Sequence, residues 1–298
     1  MEQVRIWVAG ARPRTLPAAI VPVLVGTAAA ADGDLGVGRG IVLWRFVAAM
    51  VVAVAIQVGT NYANDYSDGL RGTDGPDRVG PVRLVGSGAA SPAAVKRAAM
   101  LAFGVAAVAG LALALATTLW LVVVGAISFA AGWLYTGGPR PYGYLGLGEV
   151  FVFVFFGVVA TVGSSYVQTG SLTWLAFGAS IPVGLLATAL LVVNNLRDLP
   201  TDAAAGKRTL AVRLGETRTR ILYAVLMYLP FAVVPFVAGL GARLLAAVAL
   251  AAVMAVRLPV QRVLEGARGP ALIPVLGATG RVQLLFGVLF AAGLWLSA

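Results

Sequence analysis

Residues 173–202 read TWLAFGASIPVGLLATALLVVNNLRDLPTD, an apolar run that ends abruptly in asparagine and aspartate. The apolar part, 173–193, is long enough to cross a bilayer, which takes about 20 apolar residues of helix. A second stretch has the same layout, because the apolar run 41–60 is followed by NYANDYSD at residues 61–68. Both stretches predict a membrane-spanning helix with polar side chains at one end.

The composition of the whole chain is also typical of a membrane protein. Of its 298 residues, 60% are hydrophobic and 11% are charged, whereas roughly a quarter are charged in a soluble domain. Seven further apolar runs lie at 16–31, 98–117, 119–136, 149–167, 221–240, 242–258 and 271–297. We therefore predict one all-α integral membrane domain over residues 1–298, a bundle of about nine transmembrane helices.

Two residue types are missing, and their absence limits the chemistry. The chain contains no Cys, which excludes disulfides, thiolate nucleophiles and Cys-ligated metals. It also contains no His, the most common general base. Carboxylates, amides, Tyr, Lys and Arg must therefore carry any reaction.

The net charge of +10 reflects membrane topology rather than a nucleic-acid partner. With the N-terminus placed in the cytoplasm, only Arg39, Arg45 and Arg243 of the 22 Lys and Arg residues fall in outside segments, as the positive-inside rule expects. Two long polar segments, 61–97 and 194–220, are separated by four spans and so lie on one side. We predict a multi-pass cell-membrane protein with these segments as cytoplasmic-side loops.

Half of the 12 acidic residues are aspartates of these two segments: Asp65, Asp68, Asp74, Asp77, Asp198 and Asp202. If the helices continue through the motifs, two sets of side chains each share one helical face, and the sets are Asn61, Asp65 and Asp68, and Asn195, Asp198 and Asp202. Facing carboxylates repel each other unless a cation lies between them. Mg²⁺ binds one or two carboxylates together with phosphate oxygens, and cations flank the acids at Arg71, Arg78, Arg83, Arg140, Lys207 and Arg208. The pattern predicts a Mg²⁺-bridged diphosphate site at the membrane boundary.

The two motifs resemble the Asp-rich motifs of the UbiA-type intramembrane prenyltransferase superfamily, and within it the branch of menaquinone biosynthesis that acts on 1,4-dihydroxy-2-naphthoate. The resemblance covers nearly the whole chain. The matching stretches are 11–17 (ARPRTLP), 64–69 (NDYSDG), 72–74 (GTD), 78–85 (RVGPVRLV), 87–88 (SG), 135–139 (YTGGP), 194–202 and 206–210 (GKRTL). Many members have a third Asp where this chain has Gly72, and Asp74 and Asp77 follow instead. Which of these two contacts the metal stays open.

The resemblance implies transfer of a polyprenyl chain from polyprenyl diphosphate to 1,4-dihydroxy-2-naphthoate, with loss of CO₂ and diphosphate, to give demethylmenaquinone. It implies catalytic, Mg²⁺-binding aspartates at Asp65, Asp68, Asp198 and Asp202, and Asn61, Asn64 and Asn195 are the further metal ligands we expect. Diphosphate contacts are expected from Arg71, Arg140, Lys207 and Arg208, and substrate contacts from Arg12, Tyr66, Asp74, Asp77, Arg83, Tyr135 and Tyr142. Either Arg12 or Arg83 is expected to hold the acceptor carboxylate.

Other functions remain open at this point. A sibling prenyltransferase would keep the site and use 4-hydroxybenzoate, homogentisate or a lipid phosphate as acceptor. A secondary transporter for an anionic solute is the alternative from another class, although transporters place ionisable residues near the membrane midplane. A scaffold protein would have no use for six clustered acids.

Overall fold

The computed structural model describes residues 2–33, 38–73 and 83–298, and every regular element in them is helical. The α-helices, in chain order, are α1 (Glu2–Ala11), α2 (Pro17–Ala29), α3 (Leu43–Arg71), α4 (Pro92–Ala116), α5 (Trp120–Leu134), α6 (Gly148–Val152), α7 (Ala160–Thr169), α8 (Trp174–Ala204), α9 (Leu210–Leu240), α10 (Arg257–Leu264) and α11 (Leu272–Leu296). A π-helical segment, Phe153–Val159, joins α6 to α7. Short 3₁₀ elements lie at Pro13–Thr15, Tyr142–Leu145, Leu244–Ala255 and Gly269–Ala271.

Six helical segments of the described residues are long and apolar enough to cross a membrane, which makes the chain a multi-pass membrane protein. The number rises to seven if Leu244–Ala255 and α10, which meet at a bend of 41°, form one span. Each predicted apolar run falls on a helical segment, but nine crossings are not confirmed. Two of the predicted runs form α2 and α5, which have only 13 and 15 residues and are shorter than a usual membrane-spanning helix.

The clearest difference from the sequence prediction concerns the two polar segments, which do not begin as loops. Residues 61–71 continue α3 and residues 194–204 continue α8 without a break. A helix satisfies its own backbone hydrogen bonds at the membrane boundary, where a loop would leave them unpaired. Helix α3 ends only at Gly72, whose φ of 68° places it in the left-handed region that favours glycine.

Helix packing brings the two motif-bearing ends to the same side of the bundle. Helix α3 lies along α4, α8 lies along α9, and α11 packs against α2. The largest buried cluster draws on α2, α8, α9, α10 and α11 and includes the fully buried Tyr223, Phe286 and Phe290. Helix α8 packs into this cluster along its length, and the packing fixes the polar end of α8 relative to the rest of the bundle.

Candidate active site

A cavity of about 560 Å³ lies between the polar ends of α3 and α8. The polar part of its wall includes the side chains of both motifs and a lysine: Asn61, Asn64, Asp68, Asn194, Asn195, Asp198, Asp202 and Lys207. Along the same helices the wall becomes apolar, with Ala49 and Val52 on α3 and Ala187 and Leu190 on α8. The cavity therefore has a charged end for an ionic group and a long apolar part for a hydrocarbon.

The first motif presents a different helical face from the one predicted. The cavity wall contains Asn61, Asn64 and Asp68 but not Asp65. Successive residues of an α-helix are separated by about 100°, so a face that includes Asn64 turns Asp65 away. Asp65 is 0% exposed, and its carboxylate accepts hydrogen bonds from the backbone N–H groups of Leu84 (2.8 Å) and Val85 (3.0 Å).

The second motif has its predicted face on the cavity, since Asn195, Asp198 and Asp202 all line it. Asp198 is held by its neighbour Arg197, whose Nε and Nη2 donate to the two carboxylate oxygens at 2.8 and 2.7 Å. Arg197 Nη2 also donates to Asn194 Oδ1 at 2.9 Å. Arg197 is buried and was not among the predicted site residues. Its role was hidden because a Lys or Arg beside a span usually reads as a topology charge.

Lys207 connects the two motifs. Its Nζ lies 3.7 Å from Asp68 Oδ2 and 3.7 Å from Asp202 Oδ1. The turn after α8 places it there, because the Lys207 N–H donates to the carbonyl of Asp202 at 2.8 Å. One cation thus faces an aspartate from each motif, at the point where the cavity is most polar.

Tyr144 is a site residue that the sequence analysis missed. Its hydroxyl donates to Asp68 Oδ1 at 2.8 Å, and its ring lies beneath Lys207 (5.1 Å) and Arg71 (5.2 Å). Burial raises the pKa of the Tyr144 phenol, and the nearby charge of Asp68 raises this pKa further. The phenol therefore stays protonated and remains a hydrogen-bond donor to Asp68. The sequence offered one signal for Tyr144: it lies two residues after Tyr142, which was predicted to bind substrate, in the same short turn.

Glu149 is a second residue whose role the sequence did not reveal. It is 6% exposed at the start of α6, and its Oε1 accepts a hydrogen bond from Asn195 Nδ2 at 3.0 Å. Its other oxygen, Oε2, has no hydrogen-bond partner among the described residues. Because Asn195 uses its NH₂ group on Glu149, its Oδ1 is left for other partners.

Aromatic rings form one side of the cavity. Tyr135 meets Tyr142 edge-on at 5.5 Å, Tyr142 stacks on Phe151 at 3.9 Å, and Phe151 stacks on Phe155 at 6.0 Å. All four line the cavity. Phe155 belongs to the π-helical segment, a type of irregularity that is often found at functional sites.

The remaining predicted arginines divide into two groups. Arg12 and Arg83 line the cavity, and Arg12 has a left-handed backbone (φ 55°) that is unusual for a residue other than glycine. Arg71 is exposed, and its guanidinium donates to the carbonyl of Gly138 and lies over Tyr144. Arg140 and Arg208 are exposed and are not part of the cavity wall. The structure thus brings two of these arginines to the cavity itself.

Three other predicted substrate-binding residues do not reach the site or cannot be placed. Tyr66 packs against Trp133 at 6.1 Å between ring centroids and lies beneath Lys96, away from the cavity wall. Asp74 and Asp77 lie outside the described residues.

The donor set fits Mg²⁺. Within the described parts of the chain, no three acidic side chains lie close enough to hold a metal ion by themselves. Three carboxylates and several carboxamides nevertheless line the same cavity, among them Asp68, Asp198, Asp202, Asn61, Asn64 and Asn195. All of them offer hard oxygen ligands, and Mg²⁺ usually takes only one or two carboxylates and completes its shell with water and substrate phosphates.

Comparisons with known proteins agree with this geometry. Residues 19–270 match the UbiA prenyltransferase family. A 1,4-dihydroxy-2-naphthoate octaprenyltransferase of Mycobacterium tuberculosis (strain H37Rv) is 50% identical over 290 residues, covering 97% of this chain and 96% of the relative. An enzyme of the same name from Escherichia coli (strain K12) is 37% identical over 240 residues, covering 76% and 74%.

Solved structures show the same fold at low sequence identity. The apo structure of a UbiA homolog from Aeropyrum pernix K1 matches with a TM-score of 0.71 at 14% identity, covering 93% of this chain and 97% of that chain. A UbiA homolog from Archaeoglobus fulgidus bound to DMAPP and Mg²⁺ matches with a TM-score of 0.59 at 14% identity, covering 97% and 98%.

The fold and the cavity define an integral membrane enzyme whose polar site opens into an apolar channel. The chain belongs to the UbiA prenyltransferase family, which confirms the resemblance seen in its motifs.

Proposed function

We propose that the chain transfers a polyprenyl group from polyprenyl diphosphate to 1,4-dihydroxy-2-naphthoate. The observation that carries this proposal is the meeting of Asp68 and Asp202 at Lys207, at the charged end of an otherwise apolar cavity. The acceptor is supported by relatives that bear the name 1,4-dihydroxy-2-naphthoate octaprenyltransferase, two of them covering 97% and 98% of this chain.

In the proposed reaction the allylic C–O bond of the donor breaks, and its electron pair leaves with the diphosphate. The ring carbon that carries the carboxylate forms the new C–C bond. The bond to the carboxylate then breaks, and its electrons restore the aromatic ring as CO₂ leaves. The product is the quinol form of demethylmenaquinone, and no base is needed to remove a ring proton.

Asp68, Asp198 and Asp202, with Asn61, Asn64 and Asn195, are the residues that would hold Mg²⁺. Mg²⁺, when bound, supplies the positive charge that stabilises diphosphate as a leaving group. Lys207 lies between the two motifs and adds a cation that contacts the departing phosphate oxygens. Tyr144 donates its hydrogen bond to Asp68 and so orients that carboxylate.

The wall of the cavity protects the reactive intermediate. Rings of Tyr135, Tyr142, Phe151 and Phe155 lie beside one another and present π faces that attract a cation. The same rings keep water away from an allylic cation, which water would otherwise capture. Arg12 and Arg83, which line the cavity, are the candidates for holding the acceptor carboxylate by charge-assisted hydrogen bonds.

The membrane orientation is part of the proposal. The motif-bearing ends of α3 and α8 face the cytoplasm of a cell membrane, together with the N-terminus, and α2 and α5 complete nine crossings. The distribution of Lys and Arg supports this orientation, since Arg39, Arg45 and Arg243 alone lie on the opposite side.

The test is a product assay on the purified chain in detergent with Mg²⁺, octaprenyl diphosphate and 1,4-dihydroxy-2-naphthoate. Mass spectrometry is expected to find octaprenyl demethylmenaquinone, and EDTA is expected to abolish its formation. Prenylation of 4-hydroxybenzoate or homogentisate in place of the naphthoate would contradict the acceptor and keep the reaction class. Folded protein that releases no diphosphate with any acceptor would contradict the whole proposal.

A further inference from the structure

We propose that Asp65 is a positioning residue that holds Arg83 at the cavity, and that it is not a metal ligand. The inference rests on the proposed function where it assigns Arg83 to the acceptor carboxylate. Its starting point is the difference between Asp65 and Asp68, which lie three residues apart on α3. Asp68 faces the cavity and Lys207, whereas Asp65 is completely buried behind the cavity wall.

Both oxygens of Asp65 have a backbone partner. Oδ2 accepts from the N–H of Leu84 at 2.8 Å, and Oδ1 accepts from the N–H of Val85 at 3.0 Å. These two bonds partner both carboxylate oxygens with the protein itself, without any metal. The carboxylate is also fixed in orientation, because a rotation toward the cavity would leave two N–H groups without partners.

The segment that Asp65 holds is anchored to α3 by shape as well as by hydrogen bonds. Leu84 is 0% exposed and belongs to a buried cluster with Tyr62 and Phe103. Gly69 lies one helical turn after Asp65, and a Cβ at that position would come within 2.4 Å of Val85 Cγ1. On α3, Asp65 thus accepts the N–H groups of residues 84 and 85, and Gly69 leaves room for the Val85 side chain. Both features hold residues 84–85 against the helix.

Arg83 is held from both sides by this arrangement. Its own carbonyl accepts from Ser87 N at 3.0 Å and from Ser87 Oγ at 2.6 Å. The next N–H along the chain, that of Leu84, goes to Asp65. With its backbone fixed at these two points, the Arg83 side chain reaches the cavity wall. Asp65 therefore contributes to the anion site through Arg83, without touching the substrate.

The experiment compares Asp65→Asn with Asp68→Asn in the full chain purified in detergent. An asparagine at 65 keeps the size of the side chain but can accept only one of the two N–H bonds. We measure Mn²⁺ binding by electron paramagnetic resonance in the presence of a non-reactive prenyl thiodiphosphate, and separately the KM for each substrate. Thermal unfolding checks that both variants are folded.

Asp65→Asn is expected to keep Mn²⁺ affinity within about twofold of the parent and to raise the KM for the acceptor about tenfold, the size expected for a lost charged hydrogen bond. The KM for the prenyl diphosphate should not change. Asp68→Asn is expected to lose Mn²⁺ binding. An equal loss of Mn²⁺ binding in both variants would show that Asp65 is a metal ligand and overturn the inference.

A second variant, Arg83→Ala, keeps the inference testable if Asp65→Asn is unstable, because an unchanged acceptor KM in this variant would overturn the inference by itself. Arg83→Ala removes the group that Asp65 is inferred to position and leaves the 84–85 backbone bonds in place. Its acceptor KM should rise at least as much as that of Asp65→Asn, and the double variant should be no worse than Arg83→Ala alone. Additive effects on KM would overturn the positioning role. Mn²⁺ binding needs no acceptor, so it distinguishes failure of this inference from failure of the proposed acceptor.

Discussion

The two aspartate motifs occupy equivalent helix ends and use their acids in different ways. In the first motif, Asp65 serves the protein backbone and Asp68 serves the cavity. In the second, Asp198 and Asp202 both face the cavity, and a cation from the motif itself, Arg197, holds Asp198. The difference shows that a run of aspartates near a membrane is not a set of equivalent ligands. Position on the helix decides which acid holds the backbone and which faces the cavity.

Removing either acid that faces Lys207 should have the largest effect. We expect Asp68→Asn and Asp202→Asn each to lower product formation at least about a hundredfold, because each removes charge where the diphosphate is bound. The measurement is prenylated product by mass spectrometry, with folding checked by thermal unfolding in detergent. If one of the two retained parent activity, the two motifs would not share one site.

The next effect concerns the ion pair within the second motif. Arg197→Met removes the buried cation that pairs with the Asp198 carboxylate, which we expect to destabilise the protein by about 3 kcal/mol. The matched control is Arg268→Met, which breaks an ion pair with Glu216 where the Arg268 side chain is 77% exposed. Its apparent Tm should stay close to that of the parent, because water screens an ion pair at this exposed position. Equal shifts in apparent Tm for the two variants would contradict the claim that the buried pair of Arg197 and Asp198 stabilises the protein.

The sequence predicted the helices and one of the two cavity-facing motifs, but not the other. The apolar runs located every long helix, and the spacing of Asn195, Asp198 and Asp202 identified the face that lines the cavity. The spacing of Asn61, Asp65 and Asp68 was equally good, but it could not show that Asn64 takes the cavity side. That choice depends on the 84–85 backbone, which packs on the opposite side of α3.

Contacts between distant parts of the chain were also beyond the sequence. Tyr144 meets Asp68 across 76 residues, and Glu149 meets Asn195 across 46. Neither partner has a spacing that indicates the other, so only the packing of α3 against the 142–145 turn and of α6 against α8 reveals them.

Glu149 offers a finer test of the second motif. Glu149→Met removes the acceptor that fixes the Asn195 amide and should raise the Mg²⁺ concentration for half-maximal activity about tenfold, as loss of a residue behind a metal ligand does. Glu149→Gln keeps an acceptor oxygen and should stay closer to the parent. A Mg²⁺ titration of both variants checks this. The same Mg²⁺ requirement in Glu149→Met and the parent would contradict it.

The smallest expected effect belongs to Tyr144, on the side of the first motif. Tyr144→Phe keeps the ring beneath Lys207 and Arg71 but removes the hydroxyl that donates to Asp68. Loss of one such bond, about 1 kcal/mol, corresponds to an activity about fivefold lower. Tyr228→Phe, on the exposed outer surface, is the control and should behave like the parent. Unchanged kcat in Tyr144→Phe would show that Asp68 does not need this donor.

The most direct test of the account is whether the two motifs bind one metal–diphosphate complex. Mn²⁺ binding to the parent, Asp68→Asn and Asp202→Asn is followed by electron paramagnetic resonance, with a non-reactive prenyl thiodiphosphate present. The account predicts tight binding in the parent and loss of binding in both single variants. Parent-like binding in either variant would contradict it, because one motif would then hold the complex without the other.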